Sequence, residues 1–186
     1  MPGGRSLDYR QFGEAFVLQA VTPERVVAMV SRIAGATVAL GPIRAGPGGR
    51  ATVNATGRIG EPSADEEGAD PLVYAVRLPI DVDLEVKVGT VNRYAATGIV
   101  DLRLTVRAVA PLALHIDVDS VRPEHINFHI RAHGVQARLL GRAGDVDGEL
   151  RRHAAEYVNG RLSDPDTSRF SRIDLVPIME RVWSDL

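Results

Sequence analysis

The sequence predicts an α+β fold: a long, strongly curved antiparallel β-meander with one apolar face, packed by an N-terminal helix and two C-terminal helices. Three observations carry this. From Leu72 to Val88 every even-numbered residue is apolar, while the odd positions become polar at Arg77, Asp81, Asp83, Glu85 and Lys87. Period-two alternation belongs to a strand with one face on a core and one in water, because successive side chains leave a pleated chain on opposite sides. The same even phase returns in Tyr94–Ala108, in Leu112–Val118 and in Ile126–Ala132. Past Asp145 the apolar period changes to three and four, which is that of a helix.

The elements follow in order. Residues 1–12, rich in Gly and polar groups, are expected to form a flexible arm, and residues 13–186 a single domain. The apolar stretch Ala15–Leu18 predicts a short first strand. Thr22-Pro23-Glu24 reads as a helix start, with Thr22 as N-cap and Pro23 at the first position, where no amide is needed. Val26, Val27, Val30 and Ile33 supply its apolar stripe, and Gly35 stops it. Thr37–Ile43 and Arg50–Ile59 read as strands joined through the turn Gly46-Pro47-Gly48-Gly49. Glu61–Pro71, acidic and without apolar period, reads as a mobile surface loop.

The long run Leu72–Val88 then turns near Gly89. If Val88 faces Tyr94 across a five-residue turn, even pairs with even and both apolar sets share one face. Two further strands end at Val118 and Ala132, and Val135–Leu140 reads as one more. An amphipathic helix over Asp145–Leu162 buries Val146, Leu150, Ala154, Tyr157, Val158 and Leu162. Its other face carries Glu149, Arg151, Arg152 and Glu156. Asp174 caps a last helix, with Pro177 in its first turn and a buried stripe of Ile178, Met179, Val182, Trp183 and Leu186.

Length sharpens the architecture. At about 3.3 Å per residue Leu72–Val88 reaches roughly 55 Å, against roughly 18–25 Å for each helix. Strands this long either curl around a helix or leave apolar surface for a second chain or an apolar ligand.

Composition bounds the function. The 186 residues carry 22 Lys+Arg against 24 Asp+Glu, a net charge of -2, which argues against a general nucleic-acid binder. There is no cysteine, hence no disulfide framework, thiolate metal site or cysteine nucleophile. The N-terminal residues form no apolar signal region, and no stretch approaches the roughly 18 apolar residues of a membrane span, so a cytoplasmic location is expected.

Candidate chemistry is sparse. His115, His125, His129 and His133 fall on odd positions, as do Asp117, Asp119, Asn127 and Arg131, so alternation places them on the wet face. A hairpin near Val121 and Arg122 would set His115 opposite His129 with Asp117 nearby, a zinc-compatible trio, but a solvated open sheet face is the reading adopted. Gly46-Pro47-Gly48-Gly49-Arg50 lacks the Lys-Ser/Thr of a phosphate loop and leads into a strand. Asn54-Ala55-Thr56 matches a glycosylation sequon but has no secretory context. Ser31, Ser168 and Ser171 lack a nucleophile elbow. The carboxylate pairs Asp81/Asp83 and Asp117/Asp119 share the polar face, where solvation leaves them untuned for acid–base work. No catalytic residue, metal or cofactor is expected.

The alternating runs Leu72–Val88 and Tyr94–Ala108, the strands to Ala132 and the helix Asp145–Leu162 together resemble the tubular lipid-binding (TULIP) superfamily. Its members wrap a long, curved antiparallel sheet around a helix and hold lipid in the seam. The resemblance is architectural and covers much of the chain; no family motif is matched, and no functional residue is carried over. A helix-grip fold, in which a long terminal helix closes a curved sheet, fits the same pattern.

The expectation is therefore a non-enzymatic binding protein for a lipid, acyl or isoprenoid chain held between curved sheet and helices. Its ligand-binding residues would be Val76, Leu78, Ile80, Val82, Leu102, Leu104, Leu114 and Phe128, with Tyr157 and Trp183 as lid residues. The alternative is an interaction module with a closed core, pairing as a homodimer or with another protein. An enzyme acting on a hydrophobic substrate ranks last, because the even positions supply almost no inward polar group.

Overall fold

A computed structural model describes residues 5–34, 37–45, 47–132, 144–168 and 171–184. Two helices, α1 (Tyr9–Ala20) and α2 (Pro23–Ala34), precede seven strands. These are β1 (Thr37–Ala45), β2 (Ala51–Ile59), β3 (Ser63–Ala69), β4 (Leu72–Val88), β5 (Thr90–Val109), β6 (Ala113–Val118) and β7 (Ile126–Ala132). Then come α3 (Gly144–Leu162), a helical turn at Pro165–Ser168, β8 (Arg172–Asp174) and α4 (Val176–Ser184). The strand expected over Val135–Leu140 lies outside the described residues.

The sheet is antiparallel throughout its pairings, in the order β1-β2-β4-β5-β6-β8, with β3 also on β4 and β7 also on β5. Its spine is the ribbon β4–β5, and each flank of that ribbon carries two short strands end to end. Along β4, β3 pairs with Leu72–Arg77 and β2 with Ile80–Lys87. Along β5, β7 pairs with Tyr94–Val100 and β6 with Leu104–Val109. A strand of 17 or 20 residues outruns neighbours of six to nine, so one neighbour per flank cannot satisfy its backbone. The sheet curls into a half-barrel. Helix α3 contacts both β1 and β7, which lie on opposite edges of one half of the ribbon, so the sheet wraps around the helix.

Alternation governs the spine as expected: the even residues from Leu72 to Val86 are buried and the odd ones from Arg77 onward exposed. The turn is tighter than spacing suggested. Gly89, at φ 70°, stands alone at the tip, Val88 pairs with Thr90, and Tyr94 lies opposite Leu84. Even still pairs with even, so the shared apolar face survives the correction. In β1 a register shift between Leu40 and Ile43 moves the inward set from Val38 to Ile43 and Ala45.

Several expectations are corrected. Ala15–Leu18 is part of a helix, not a strand, and α1 takes in the last residues of the expected arm. A four-residue apolar run does not by itself distinguish the two; a capping box does, with the Asp8 carboxylate accepting from the Gln11 N–H at 2.8 Å and the Gln11 side chain accepting from the Asp8 N–H. The acidic stretch expected as a loop contains β3, an edge strand held by the β4 ladder and by the cross-strand pairs Arg77–Asp65 and Arg103–Glu67. Its charges suit an edge that must not recruit another strand. Leu112 falls outside β6 and is exposed. Strands β6 and β7 do not pair with each other; both pair with β5. Finally, Asp174 does cap α4, its Oδ1 accepting from the Val176 N–H at 3.1 Å, but α4 buries no residue. Ile178, Met179, Val182 and Trp183 stand in solvent. Leu186 lies outside the described residues.

One core joins sheet and helices. Val26 and Val30 of α2 and Leu150, Ala154 and Ala155 of α3 pack on the inward residues of β1, β2, β4, β5, β6 and β7. Two polar ties fix the cover. The buried Tyr74 hydroxyl donates to the Val21 carbonyl between α1 and α2. The Asn159 amide of α3 pairs with both backbone groups of Val121, accepting from its N–H and donating to its carbonyl, each at 2.8 Å.

Candidate functional site

Beneath the middle of the ribbon the core opens into an apolar groove. Its floor is Leu78, Ile80 and Val82 from β4 and Val100, Leu102 and Leu104 from β5. These are the positions where the flanking strands change over. On one flank, β3 stops opposite Arg77 and β2 begins opposite Ile80. On the other, β7 ends opposite Val100 and β6 begins opposite Leu104. At such seams the inward side chains of the flanks thin out. Ile59 and Val118, the terminal paired residues of β2 and β6, stand at the edges of the groove.

Small residues add to the space. β2 contributes Ala55 and Gly57 to the lining, and α3 contributes Ala154. Phe128 of β7 reaches the groove by lying against Gly98, its register partner on β5: a Cβ at Gly98 would come 2.5 Å from the Phe128 ring. The roof is α2, through Met29, Val30 and Ala34, and the C-terminal half of α3, through Ala154, Tyr157, Val158, Arg161 and Leu162. Val38 and Leu40 of β1 complete the wall.

The groove is open to solvent at its mouth and has a cavity volume of about 60 Å³. A single water needs about 10–15 Å³, so this space holds a handful of atoms. A larger guest must occupy the mouth or displace the roof helices.

Seven of the ten residues expected to bind ligand meet here: Leu78, Ile80, Val82, Leu102, Leu104, Phe128 and Tyr157. Val76 and Leu114 share the inward face but sit in the filled end, 1% and 2% exposed and away from the groove. Trp183, expected as a lid residue, lies off the groove and is 73% exposed on α4. The contributions of α2, β1 and β2 escaped sequence reasoning, although the run Ala51, Val53, Ala55, Gly57 signalled an inward face that something else approaches closely.

Among the described residues, the histidines of the wet face are not brought together. His115 lies opposite Arg107 and His129 opposite Thr97, ten residues apart along β5 and so roughly 33 Å, because β6 and β7 pair with β5 rather than with each other. His115 Nε2 instead meets Asp117 Oδ1 at 3.1 Å, and Arg107 holds the other oxygen at 3.3 Å. Among the described residues, no group of three or more His, Asp or Glu gathers as a metal site. Among the described residues, one buried phenol has a perturbed proton affinity: burial pushes Tyr74 above its ordinary value, and the charges of Glu66 and Glu24 push the same way.

No protein-family model matches this sequence, and no curated protein matches it either.

Proposed function

We propose that this protein is a non-enzymatic carrier or sensor of a hydrophobic ligand, a lipid or an acyl or isoprenoid chain, held between the curled sheet and helices α2 and α3. One observation carries the reading: the groove wall is hydrocarbon almost throughout, on a sheet that curls around the helix that roofs it. Such a wall binds by burying apolar area and has little with which to fix a reacting atom. A lipid-holding sheet wrapped on a helix is also what the tubular lipid-binding resemblance implies, and that kinship belongs to the same proposal. So does a cytoplasmic location; among the described residues no helix is long and apolar enough to cross a membrane.

Native mass spectrometry after gentle purification tests the reading, together with uptake of a fluorescent fatty acid. The expected result is a bound apolar molecule, or saturable uptake that Val82→Phe blocks by filling the groove. A chain that carries nothing and takes up nothing would refute it.

A second reading has its own support. Helix α4 exposes Ile178, Met179, Val182 and Trp183 on a short amphipathic helix, an apolar stripe of the kind that pairs a protein with a second copy or another chain. Sedimentation separates the two: a dilute monomer with an occupied groove favours the carrier, a tight dimer with an empty one the interaction module.

A further inference from the structure

The groove runs obliquely across the ribbon, because the two seams that open it are offset. On one flank the change from β3 to β2 falls between Arg77 and Ile80 of β4. On the other, the gap between β7 and β6 falls between Val100 and Leu104 of β5, which lie opposite Leu78 and Tyr74 of β4. The lining therefore leads from Ile59, at the end of β2, to Val118, at the end of β6. Between those two the sheet is crossed in three interstrand steps of about 4.8 Å while the register advances six residues of about 3.3 Å, so the path over the sheet is roughly 25 Å.

Length and volume together limit the width. A cavity of about 60 Å³ spread along such a path leaves a passage about as wide as one hydrocarbon chain. Side chains hold it narrow: Phe128 reaches in over Gly98 from β7, and Met29 and Val158 close down from α2 and α3. Its length is finite too. Along β4 the floor ends against Val76 on one side and Leu84 on the other, each 1% exposed and outside the lining. The wall is hydrocarbon almost without exception, so each methylene that leaves water adds to affinity. A polar head drawn inside would lose its hydrogen bonds to water without replacement, and it stays at the open mouth.

Resting on the carrier reading, we infer that the ligand is a single unbranched hydrocarbon chain entering lengthwise, selected by shape and length and not by its head. Such a chain can follow the oblique path from the β2 seam to the β6 seam. A forked molecule of the same carbon count cannot, and it buries less of itself.

The test is calorimetric titration of the full chain with hexanol, octanol, decanol, decanoate and the isomer of decanol whose hydroxyl sits at the fifth carbon. Affinity should rise roughly tenfold for each two carbons from hexanol to decanol, the transfer of two buried methylenes. The mid-chain isomer, equal to decanol in composition, should bind about tenfold more weakly because only one of its arms enters. Decanoate should bind within about threefold of decanol, since a charge left at the mouth contributes little. V82F, which fills the floor, should weaken decanol about tenfold. V91F, on an exposed residue of β5 outside the lining, should leave it unchanged.

Equal affinity for decanol and its mid-chain isomer would overturn this inference while leaving the carrier reading intact, and that comparison needs no variant to fold. A tenfold difference between decanoate and decanol would overturn it as well, because the head would then be recognised. So would decanol binding that V82F and V91F affect alike, or uptake of the fluorescent fatty acid with none of the alcohols bound. Failure of the fatty acid and the alcohols together would overturn both readings.

Discussion

The two halves of the inward face differ in how they are filled. At the end where β3 and β6 flank the ribbon, Leu72, Tyr74, Val76, Val106, Leu114 and Ile116 are all 5% exposed or less, and none lines the groove. Here the Tyr74 hydroxyl reaches the turn between α1 and α2, and the cover is tied down. In the middle of the same ribbon, Leu78, Ile80, Val82, Val100 and Leu102 occupy equivalent inward positions and face open space. Neither hydrophobicity nor alternation distinguishes the two. The difference is in the flanks, which are continuous at the closed end and change over in the middle, with Ala55 and Gly57 beside the seam. A space can thus be built into a sheet without a polar or irregular residue in its spine.

The largest test of this contrast is Tyr74→Ala. Removing a fully buried aromatic from the closed end should cost about 3–5 kcal/mol, read from the urea midpoint with an unchanged slope. A loss below about 1 kcal/mol would mean that the end is not close-packed.

Next comes a matched pair six residues apart on β4. Val76→Phe overpacks the closed end and should destabilise by about 1–3 kcal/mol. Val82→Phe enters open space and should cost less than about 1 kcal/mol, since the added ring finds room. Equal costs in thermal melts would erase the distinction between the regions.

Asn159→Ala probes the roof. It frees α3 from the backbone of Val121 and should cost about 1–2 kcal/mol, the scale of two hydrogen bonds at a partly buried site. The same substitution should quicken uptake of a fluorescent fatty acid, because the groove is roofed by the helix that it loosens. Faster uptake without a change in stability, or the reverse, would separate gating from anchoring.

The smallest effect is one of pH. The Tyr74 phenol is held above the ordinary value of 10.0, chiefly by burial, so the folded state binds its proton more tightly than the unfolded state. That contribution is fully present below about pH 10 and is lost as pH rises through the folded value. The stability advantage of wild type over Tyr74→Phe, about 1 kcal/mol at neutral pH, should therefore shrink in urea titrations above about pH 10. A constant difference across that range would place the hydroxyl in water.

Much of the fold was legible because it rests on local periodicity. The register of β4, the even phase of β5 and the helical span of α3 follow from which side each residue must face, and a single chain carries that information. The candidate site was legible in part for the same reason: alternation identified the inward residues of β4 and β5 but could not say which of them face space. Val76 and Val82 read identically in sequence, and only the flanking strands tell them apart. Helix α4 illustrates the converse, since an apolar stripe at helical spacing specifies an amphipathic helix without specifying what covers it. Strand β3 formed without any apolar period, because an edge strand can be held by its neighbour's backbone and by the Arg77 and Arg103 ion pairs.

By itself, then, the even-odd register determined one continuous apolar face and put the histidines of the strands on its wet side, since the pleat allows no other arrangement. The pairing of β6 and β7 with the same strand, the seam between them and the roofing of the groove by α2 and α3 were decided by tertiary structure. Those features depend on where separate strands and helices stop against one another, which is a property of long-range contacts and not of any local repeat.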